Sequence, residues 1–128
     1  MNKHLLRPDR LRHVPPQFSW LDQRLFRNGR IAPCDADALA LYLFLVVVAD
    51  AQGLSFYSEA SIGRLLRWDA LRVAAARRQL VAADLVAFEA PLYQVLSLDP
   101  LVATAPRIGT ALSVGDILRR ALRQGGPA

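Results

Sequence analysis

The feature that most constrains the fold is the run from Ala38 to Ala49, ALALYLFLVVVA, in which no residue is charged. As an α-helix the run is about 18 Å long, at 1.5 Å per residue, whereas the hydrocarbon core of a bilayer is about 30 Å thick. It is therefore too short to span a membrane and is predicted to be a buried helix. Because it has no polar face, we expect the rest of the domain to cover it almost all round. Three successive valines are poor helix formers, so a strand at the end of the run is the alternative.

The composition fits one small domain with a hydrophobic core. The chain has 128 residues, of which 53% are hydrophobic, and domains cluster around 100 to 150 residues. Cys34, His4 and His13 are too few to form a disulfide scaffold or a four-ligand structural zinc site. Cys34 precedes a predicted helix, a position that tends to lower a thiol pKa. A phosphate-binding glycine loop, an H-E-x-x-H motif and a paired-carboxylate site are all missing, so the sequence predicts neither an enzyme nor a cofactor.

The charge balance favours a polyanionic partner. The chain has 16 Lys and Arg against 11 Asp and Glu, a formal net charge of +5, and every basic residue except Lys3 is arginine. Arginine favours bidentate contact with phosphate, although a GC-rich genome produces the same bias. The excess lies in residues 1–33 and 107–128, so basic arms flank a mixed centre. Such a pattern is typical of nucleic-acid binding. The N-terminus lacks the pattern of a secretory signal, so we expect a cytoplasmic, nucleoid-associated protein without a membrane partner.

The first part of the chain is predicted to be an extended arm followed by a short helix. Residues 1–18 contain three prolines and show no sustained period. Ser19 is the predicted N-cap of a helix over SWLDQRLFRNG, with Asp22 as its capping-box partner and Asn28-Gly29 as its end. The side chains expected to face inward are Trp20, Leu21, Leu25 and Phe26.

The following elements alternate between helices and short strands. A helix begins after Pro33, with Asp35 or Asp37 in its first turn, and is followed by a short strand at Leu54–Tyr57. Ser58 and Asp69 are the predicted N-caps of two further helices, EASIGRLLR and ALRVAAARRQLVAAD, which Trp68 separates. Two strands, 85–88 and 92–96, then form a hairpin. Residues 19–98 make up this domain, 99–112 are a linker, and 113–128 are a C-terminal amphipathic helix and tail.

The segment SEASIGRLLRWDALRVAAARRQLVAADLVAFEAPLYQVLSL resembles the winged helix-turn-helix family of DNA-binding proteins. The preceding DADALALYLFLVVVADAQGLSFYS is similar to the opening helix and strand of bacterial replication-initiator and primosome-type members, so the resemblance covers about residues 35–98. It implies a mainly α fold with a small β-hairpin wing, whose third helix enters the major groove of DNA. The sequence departs from the family at Asp84, where glycine is frequent before the wing.

A helical wheel at about 100° per residue divides the third helix of this motif into two faces. Val73, Ala76 and Leu80 share the side expected to pack on the domain, and the opposite and flanking surface presents Arg72, Ala75, Arg78 and Gln79. Arginine can bridge guanine O6 and N7, glutamine can pair with adenine, and alanine allows close approach. Arg77 lies nearer the packed side, as a phosphate contact or in an intramolecular salt bridge. The further predicted phosphate contacts are Arg64, Arg67, Arg7, Arg10 and Arg12, together with the set Arg24, Arg27 and Arg30. The alternative is that the arginines only solubilise an Ala-rich helix.

These observations predict double-stranded DNA binding, sequence-specific or structure-specific, by a small bacterial transcriptional regulator or an accessory factor for replication or a mobile element. The tip of the wing, Glu89-Ala90-Pro91, has no basic residue. The alternative is therefore a winged-helix module that binds protein through the wing or the C-terminal helix. Because a single recognition helix reads only a few base pairs, we also expect a homodimer. Its predicted interface is the apolar side of the C-terminal helix, which contains Ile117, Leu118, Ala121 and Leu122.

Overall fold

The computed structural model describes residues 2–99. These residues form four α-helices and a three-stranded antiparallel sheet, preceded by a 3-10 turn at Pro8–Arg10. The helices are α1 (Arg24–Arg27), α2 (Ala36–Val48), α3 (Glu59–Leu66) and α4 (Ala70–Ala82), and the strands are β1 (Leu54–Phe56), β2 (Val86–Glu89) and β3 (Leu92–Val95). The predicted order of helix, strand, helix, helix and hairpin is confirmed from α2 onward. The predicted C-terminal helix, and the linker from residue 100, lie outside the described residues.

The apolar run is helical to its end, so the alternative strand over its valines is wrong. Asp35 is the N-cap of α2, and its carboxylate accepts a hydrogen bond from the amide of Ala38 at 2.9 Å. The prediction that α2 is covered almost all round is also wrong, since Leu43 and Val47 are exposed. Among the helices and strands, α4 and β3 make the main contacts with α2, and they leave these two side chains uncovered. Its buried residues are Ala38, Leu41, Tyr42 and Leu45.

The helix predicted from Ser19 is wrong in its first half, because only the last turn forms, as α1. The hydroxyl of Ser19 donates to the carbonyl of Val47 at 3.4 Å and caps no helix. Asp22 accepts from the backbone amide of Arg24 at 2.9 Å, a local bond that competes with helix formation. Gly29 has a φ of +69° and ends the turn as predicted. Of the four side chains predicted to face inward, Leu25 is buried, and the exposed ones are Trp20, Leu21 and Phe26.

The strands form one sheet in the order β1-β3-β2. Tyr93 in the central strand is opposite Ser55 on β1 and Phe88 on β2. Gly53 precedes β1 with a φ of +85°, and a Cβ added there would lie 2.7 Å from the carbonyl oxygen of Val95. Any other residue at this position would therefore separate the two strands. The hydrophobic core lies between the sheet and α2, α3 and α4, and its fully buried large side chains are Tyr93, Leu41, Leu45, Ile62, Leu80, Leu85, Val73 and Val86.

A tight turn joins α3 to α4 and sets their packing. A Cβ on Gly63 would lie 2.6 Å from the backbone oxygen of Trp68, so only glycine allows this approach. Arg67 ends α3 in the left-handed region with a φ of +63°. The amide of Trp68 donates back to the carbonyl of Gly63 at 2.8 Å, which closes the turn.

The exit from α4 gives Asp84 the backbone conformation that favours glycine. Asp84 has a φ of +61°, which glycine adopts without cost and aspartate tolerates better than most residues. Its amide donates to the carbonyl of Val81, and the amide of Leu85 donates to that of Leu80, each at 3.0 Å. These two bonds form a Schellman motif. Asp84 therefore takes the left-handed conformation that glycine would take, and β2 begins two residues later, at Val86.

Candidate nucleic-acid interface

The buried side of α4 determines how the rest of the helix is presented. Val73, Ala76 and Leu80 are completely buried, as the wheel predicts. Asp69 caps the helix by accepting from the amide of Arg72 at 2.8 Å. With the helix held in this rotation, its other residues lie on three sides: an outward side, a side that faces α2, and a side that faces the hairpin.

The outward side consists of Leu71, Ala75, Arg78 and Ala82. Leu71 is 80% exposed, Arg78 and Ala82 are exposed, and Ala75 is half-buried. Within the described part of the chain, Arg78 makes no ion pair or side-chain hydrogen bond. Of the predicted groove contacts, Ala75 and Arg78 lie on this side. It combines two alanines and an exposed leucine with one guanidinium that forms no ion pair in the described chain, and such a guanidinium can contact a phosphate.

On the α2-facing side, Arg72 is held from two directions. Its Nε donates to Oδ2 of Asp37 at 2.8 Å, and its Nη2 donates to Oδ1 at 2.9 Å, a bidentate ion pair. Its guanidinium carbon lies 4.7 Å from the ring centre of Trp68, a cation–π contact. The hydrogen bonds from Arg72 lower the pKa of the Asp37 carboxyl. The side chain of Arg72 nevertheless remains 49% exposed.

Gln79, on the same side, is occupied by the cap of α2. Its Oε1 accepts from the backbone amide of Asp35 and its Nε2 donates to Oδ2 of that residue, both at 2.8 Å. The hydrogen bond from Gln79 is the largest cause of a lowered pKa at Asp35. The amide that would pair with adenine is thus engaged at both ends within the protein. The wheel placed Arg72 and Gln79 on the free surface, whereas both turn toward α2.

On the hairpin-facing side, Arg77 forms the intramolecular salt bridge that was one of its two predicted roles. Its Nη2 lies 2.7 Å from Oε2 of Glu59, and Nη1 donates to the hydroxyl of Tyr93 at 3.4 Å. The guanidinium carbon lies 4.3 Å from the ring centre of Phe88. Burial lowers the pKa of Arg77, but the bonds to Tyr93 and Glu59 more than offset this effect. These contacts tie α4 to α3 and to the hairpin, and they leave the side chain of Arg77 only 14% exposed.

Two further predicted phosphate contacts lie on α3 and in the turn after it. Arg64 is exposed and donates to the hydroxyl of Ser61 at 3.2 Å. Arg67 is exposed at the left-handed end of the helix. Neither arginine forms an ion pair among residues 2–99. With Arg78, they give α3 and α4 three guanidinium groups that carry no internal counter-charge.

The N-terminal arm contributes the remaining predicted contacts. Arg7 forms an exposed ion pair with Asp9 at 2.9 Å, which spans the 3-10 turn. Arg10 and Arg12 are exposed and have no ionic partner within the described chain. Of these three arginines, two therefore lack an ionic partner among residues 2–99 and one is paired. No bond from these side chains to α3 or α4 is present among the described residues.

Exposed apolar side chains and an acidic hairpin tip accompany these cations. Leu65 on α3 and Val81 on α4 are 60% and 45% exposed. Glu89, at the end of β2, is exposed. A carboxylate at this tip repels phosphate, and exposed leucines are typical of protein contacts. The surface of α3, α4 and the hairpin is therefore mixed rather than uniformly basic.

The sequence did not reveal the contacts that Asp35, Asp37 and Trp68 make with side chains of α4. The two aspartates could be recognised as helix-capping residues, but their partners on α4 are 35 and 44 positions away along the chain. No spacing within a single element signals such a contact. Cys34 also differs from expectation, because burial and then the charge of Asp35 raise its thiol pKa instead of lowering it. A reactive thiolate is not favoured there.

Comparison of the chain with protein-family models, curated proteins and solved structures finds no match. Among residues 2–99, no group of His, Cys, Asp or Glu is arranged to hold a metal ion. No helix in that part of the chain has the length and hydropathy to cross a bilayer. Any functional interpretation therefore depends on the geometry around α4.

Proposed function

We propose that this protein binds double-stranded DNA as a winged helix-turn-helix module, with α4 as the recognition helix and β2–β3 as the wing. The observation that carries the proposal is the exposed Arg78 on the outward side of α4, together with Arg64 on α3 and Arg67 at its end, none of which forms an ion pair among residues 2–99. The order of the elements and the sheet order β1-β3-β2 support it, and α4 packs against α2 and α3, as a recognition helix packs on the helices before it. The biological role is then that of a transcriptional regulator, or of an accessory factor in replication or for a mobile element.

The arginines differ in whether they have an acidic partner within the protein, and this difference supports assigning them different roles. An arginine without an acidic partner in the protein can neutralise a phosphate without first breaking an ion pair. Arg64, Arg67 and Arg78 meet this condition within the described chain. Arg77 does not, since it is buried against Glu59. We therefore assign the phosphate contacts to the first three, with Arg10 and Arg12 of the arm as further donors. The binding needs no cofactor and no chemical step, and it is consistent with a cytoplasmic, nucleoid-associated location.

The test is the salt dependence of duplex binding by the full chain. For the wild type, fluorescence anisotropy with a labelled duplex should show an affinity that falls steeply as salt rises. Replacing Arg64, Arg67 and Arg78 together with alanine should reduce the slope of log K against log salt by about 2 to 3 units, at about 0.9 per phosphate. A charge-matched control replaces Arg24, Arg27 and Arg30, around α1, and should change the slope less, because Arg24 is paired with Asp22 and Arg30 donates to the carbonyl of Leu98. Equal effects of the two triple variants would contradict the assignment to α3 and α4.

A second candidate function is protein docking through the same surface. Leu71 and Leu65, exposed on α4 and α3, and the acidic tip at Glu89 favour it. Such a module should bind duplex DNA weakly at every salt concentration, whereas the proposed DNA-binding protein should bind tightly at low salt. The predicted homodimer remains a proposal, and its predicted interface lies outside the described residues.

A further inference from the structure

We propose that Asp37 is a positioning residue that holds Arg72 ready to read a guanine in the major groove. The inference rests on the proposed DNA binding and adds a source of base selectivity to it. Asp37 is on α2, at the start of the platform, and Arg72 is the third residue of α4. In helix-turn-helix proteins the N-terminal residues of the recognition helix contact base edges.

The donors of Arg72 divide into two forks. The guanidinium has five N–H groups in a rigid plane. One edge, formed by Nε and Nη2, is taken by the two oxygens of Asp37 at 2.8 and 2.9 Å. The second edge, formed by Nη1 and the other hydrogen of Nη2, has no partner among the described residues. That edge is the bidentate fork that matches O6 and N7 of guanine.

Three contacts hold the second fork in one orientation. The ion pair fixes the plane of the guanidinium, and Trp68 supports one face of it at 4.7 Å. The backbone of Arg72 is fixed separately by the cap at Asp69. A side chain that is already immobilised loses less entropy on binding, so its hydrogen bonds count more toward selectivity. The side chain of Arg72 is 49% exposed, and the second fork makes no hydrogen bond among residues 2–99, so it is the part of the guanidinium that remains able to bind a base.

The neighbouring Asp35–Gln79 pair offers a matched comparison. Asp35 and Asp37 carry equal charges at the same end of α2, but Asp35 engages Gln79 and makes no bond to Arg72. Replacing either aspartate with asparagine removes one negative charge from the proposed DNA surface. Only Asp37→Asn removes the charge that orients Arg72. Asparagine is a good N-cap, so Asp35→Asn should keep the start of α2 intact.

The experiment selects a preferred duplex from a random library with the full wild-type chain. It then measures affinity for that duplex, for the duplex with one G·C pair changed, and for unrelated duplex. Asp37→Asn should lower the discrimination at one G·C pair by about ten-fold, while affinity for unrelated duplex rises because a carboxylate is lost. Asp35→Asn should raise non-specific affinity similarly and leave discrimination unchanged. Arg72→Lys should lose the same discrimination as Asp37→Asn, because lysine keeps the charge and lacks the fork.

The possible results separate the inference from the proposed function. Wild-type protein that binds no duplex at low salt overturns both. Wild-type protein that binds, with discrimination unchanged in Asp37→Asn and Arg72→Lys, overturns only the role of Asp37 and Arg72. A fall in specific and non-specific affinity together, accompanied by a lower melting temperature, shows that the pair is only a structural tie and also overturns the inference. Opposite changes in discrimination and non-specific affinity are the predicted result.

Discussion

The outward side and the α2-facing side of α4 each present an arginine, and the two arginines are held very differently. Arg78 on the outward side has no partner among the described residues. Arg72, six positions earlier, is fixed by Asp37 and Trp68. A free arginine can adjust to a phosphate in several positions, whereas a fixed arginine presents its donors at one angle. The comparison therefore assigns sequence-independent affinity to the outward side and selectivity to the α2-facing side.

The comparison also shows what the aspartates of α2 do for α4. Asp35 and Asp37 form hydrogen bonds with the polar side chains on the α2-facing side of α4. Only one fork of Arg72 therefore remains available there. Without these contacts, Arg72 and Gln79 would have no hydrogen bond to α2, just as Arg78 has no side-chain hydrogen bond among the described residues. The difference between the two sides thus originates on α2, a helix that the sequence marks only as a hydrophobic core element.

The largest effect is expected from a substitution on the buried side of α4, because the orientation of its three other sides depends on that packing. Leu80→Ala removes a fully buried side chain and should lower the free energy of unfolding by about 3 kcal/mol. Urea unfolding monitored by circular dichroism measures this. Val81→Ala, at the adjacent and 45% exposed position, is the control and should change stability by less than about 0.5 kcal/mol. Equal losses in the two variants would show that the rotation of α4 is wrong.

A smaller effect, at the turn between α3 and α4, separates a change in stability from a change in duplex binding. Arg67 has a φ of +63°, which costs a non-glycine residue about 1 kcal/mol. Arg67→Gly should raise the melting temperature and also weaken duplex binding, since a proposed phosphate contact is lost. Arg64→Ala, within α3, should weaken binding to a similar degree with little change in melting temperature. If Arg67→Gly gains stability and keeps full affinity, Arg67 does not contact phosphate.

The smallest effect concerns pH. The pKa of Asp37 is lowered in the folded protein by its hydrogen bonds to Arg72. The ion pair therefore contributes stability above the usual aspartate pKa of about 3.9, and this contribution is lost as pH falls through the lower folded-state value. The difference in melting temperature between wild type and Asp37→Asn should be present at neutral pH and vanish in acid. A difference that is constant across this range would mean that the pair adds no charge-dependent stability.

Much of the fold could be predicted because its signals are local. Ser58 and Asp69 cap α3 and α4 as predicted, and the alternation from Val86 to Val95 produces the hairpin. The helix from Ser19 could not be predicted correctly, because the bond between Asp22 and Arg24 and the contact from Ser19 to Val47 compete with it. The exposure of Leu43 and Val47 could not be predicted either, because it depends on which other parts of the chain pack against α2.

The candidate site was predicted only where the helical wheel decides the outcome. The burial of Val73 and Leu80 and the exposure of Arg78 follow from their angles around the axis. Arg72 and Gln79 lie between the buried and outward sides, and there the wheel leaves two directions open. The aspartates of α2 decide between them through contacts that are long-range in sequence.

The most direct test of the division between the two sides measures Arg78→Ala and Arg72→Ala on one selected duplex, its single G·C variant and an unrelated duplex. Arg78→Ala should weaken binding to all three by the same factor and lower the salt slope by about 0.9. Arg72→Ala should instead reduce the difference between the selected duplex and its variant by about ten-fold. Uniform losses from both substitutions, with the discrimination intact, would contradict the account.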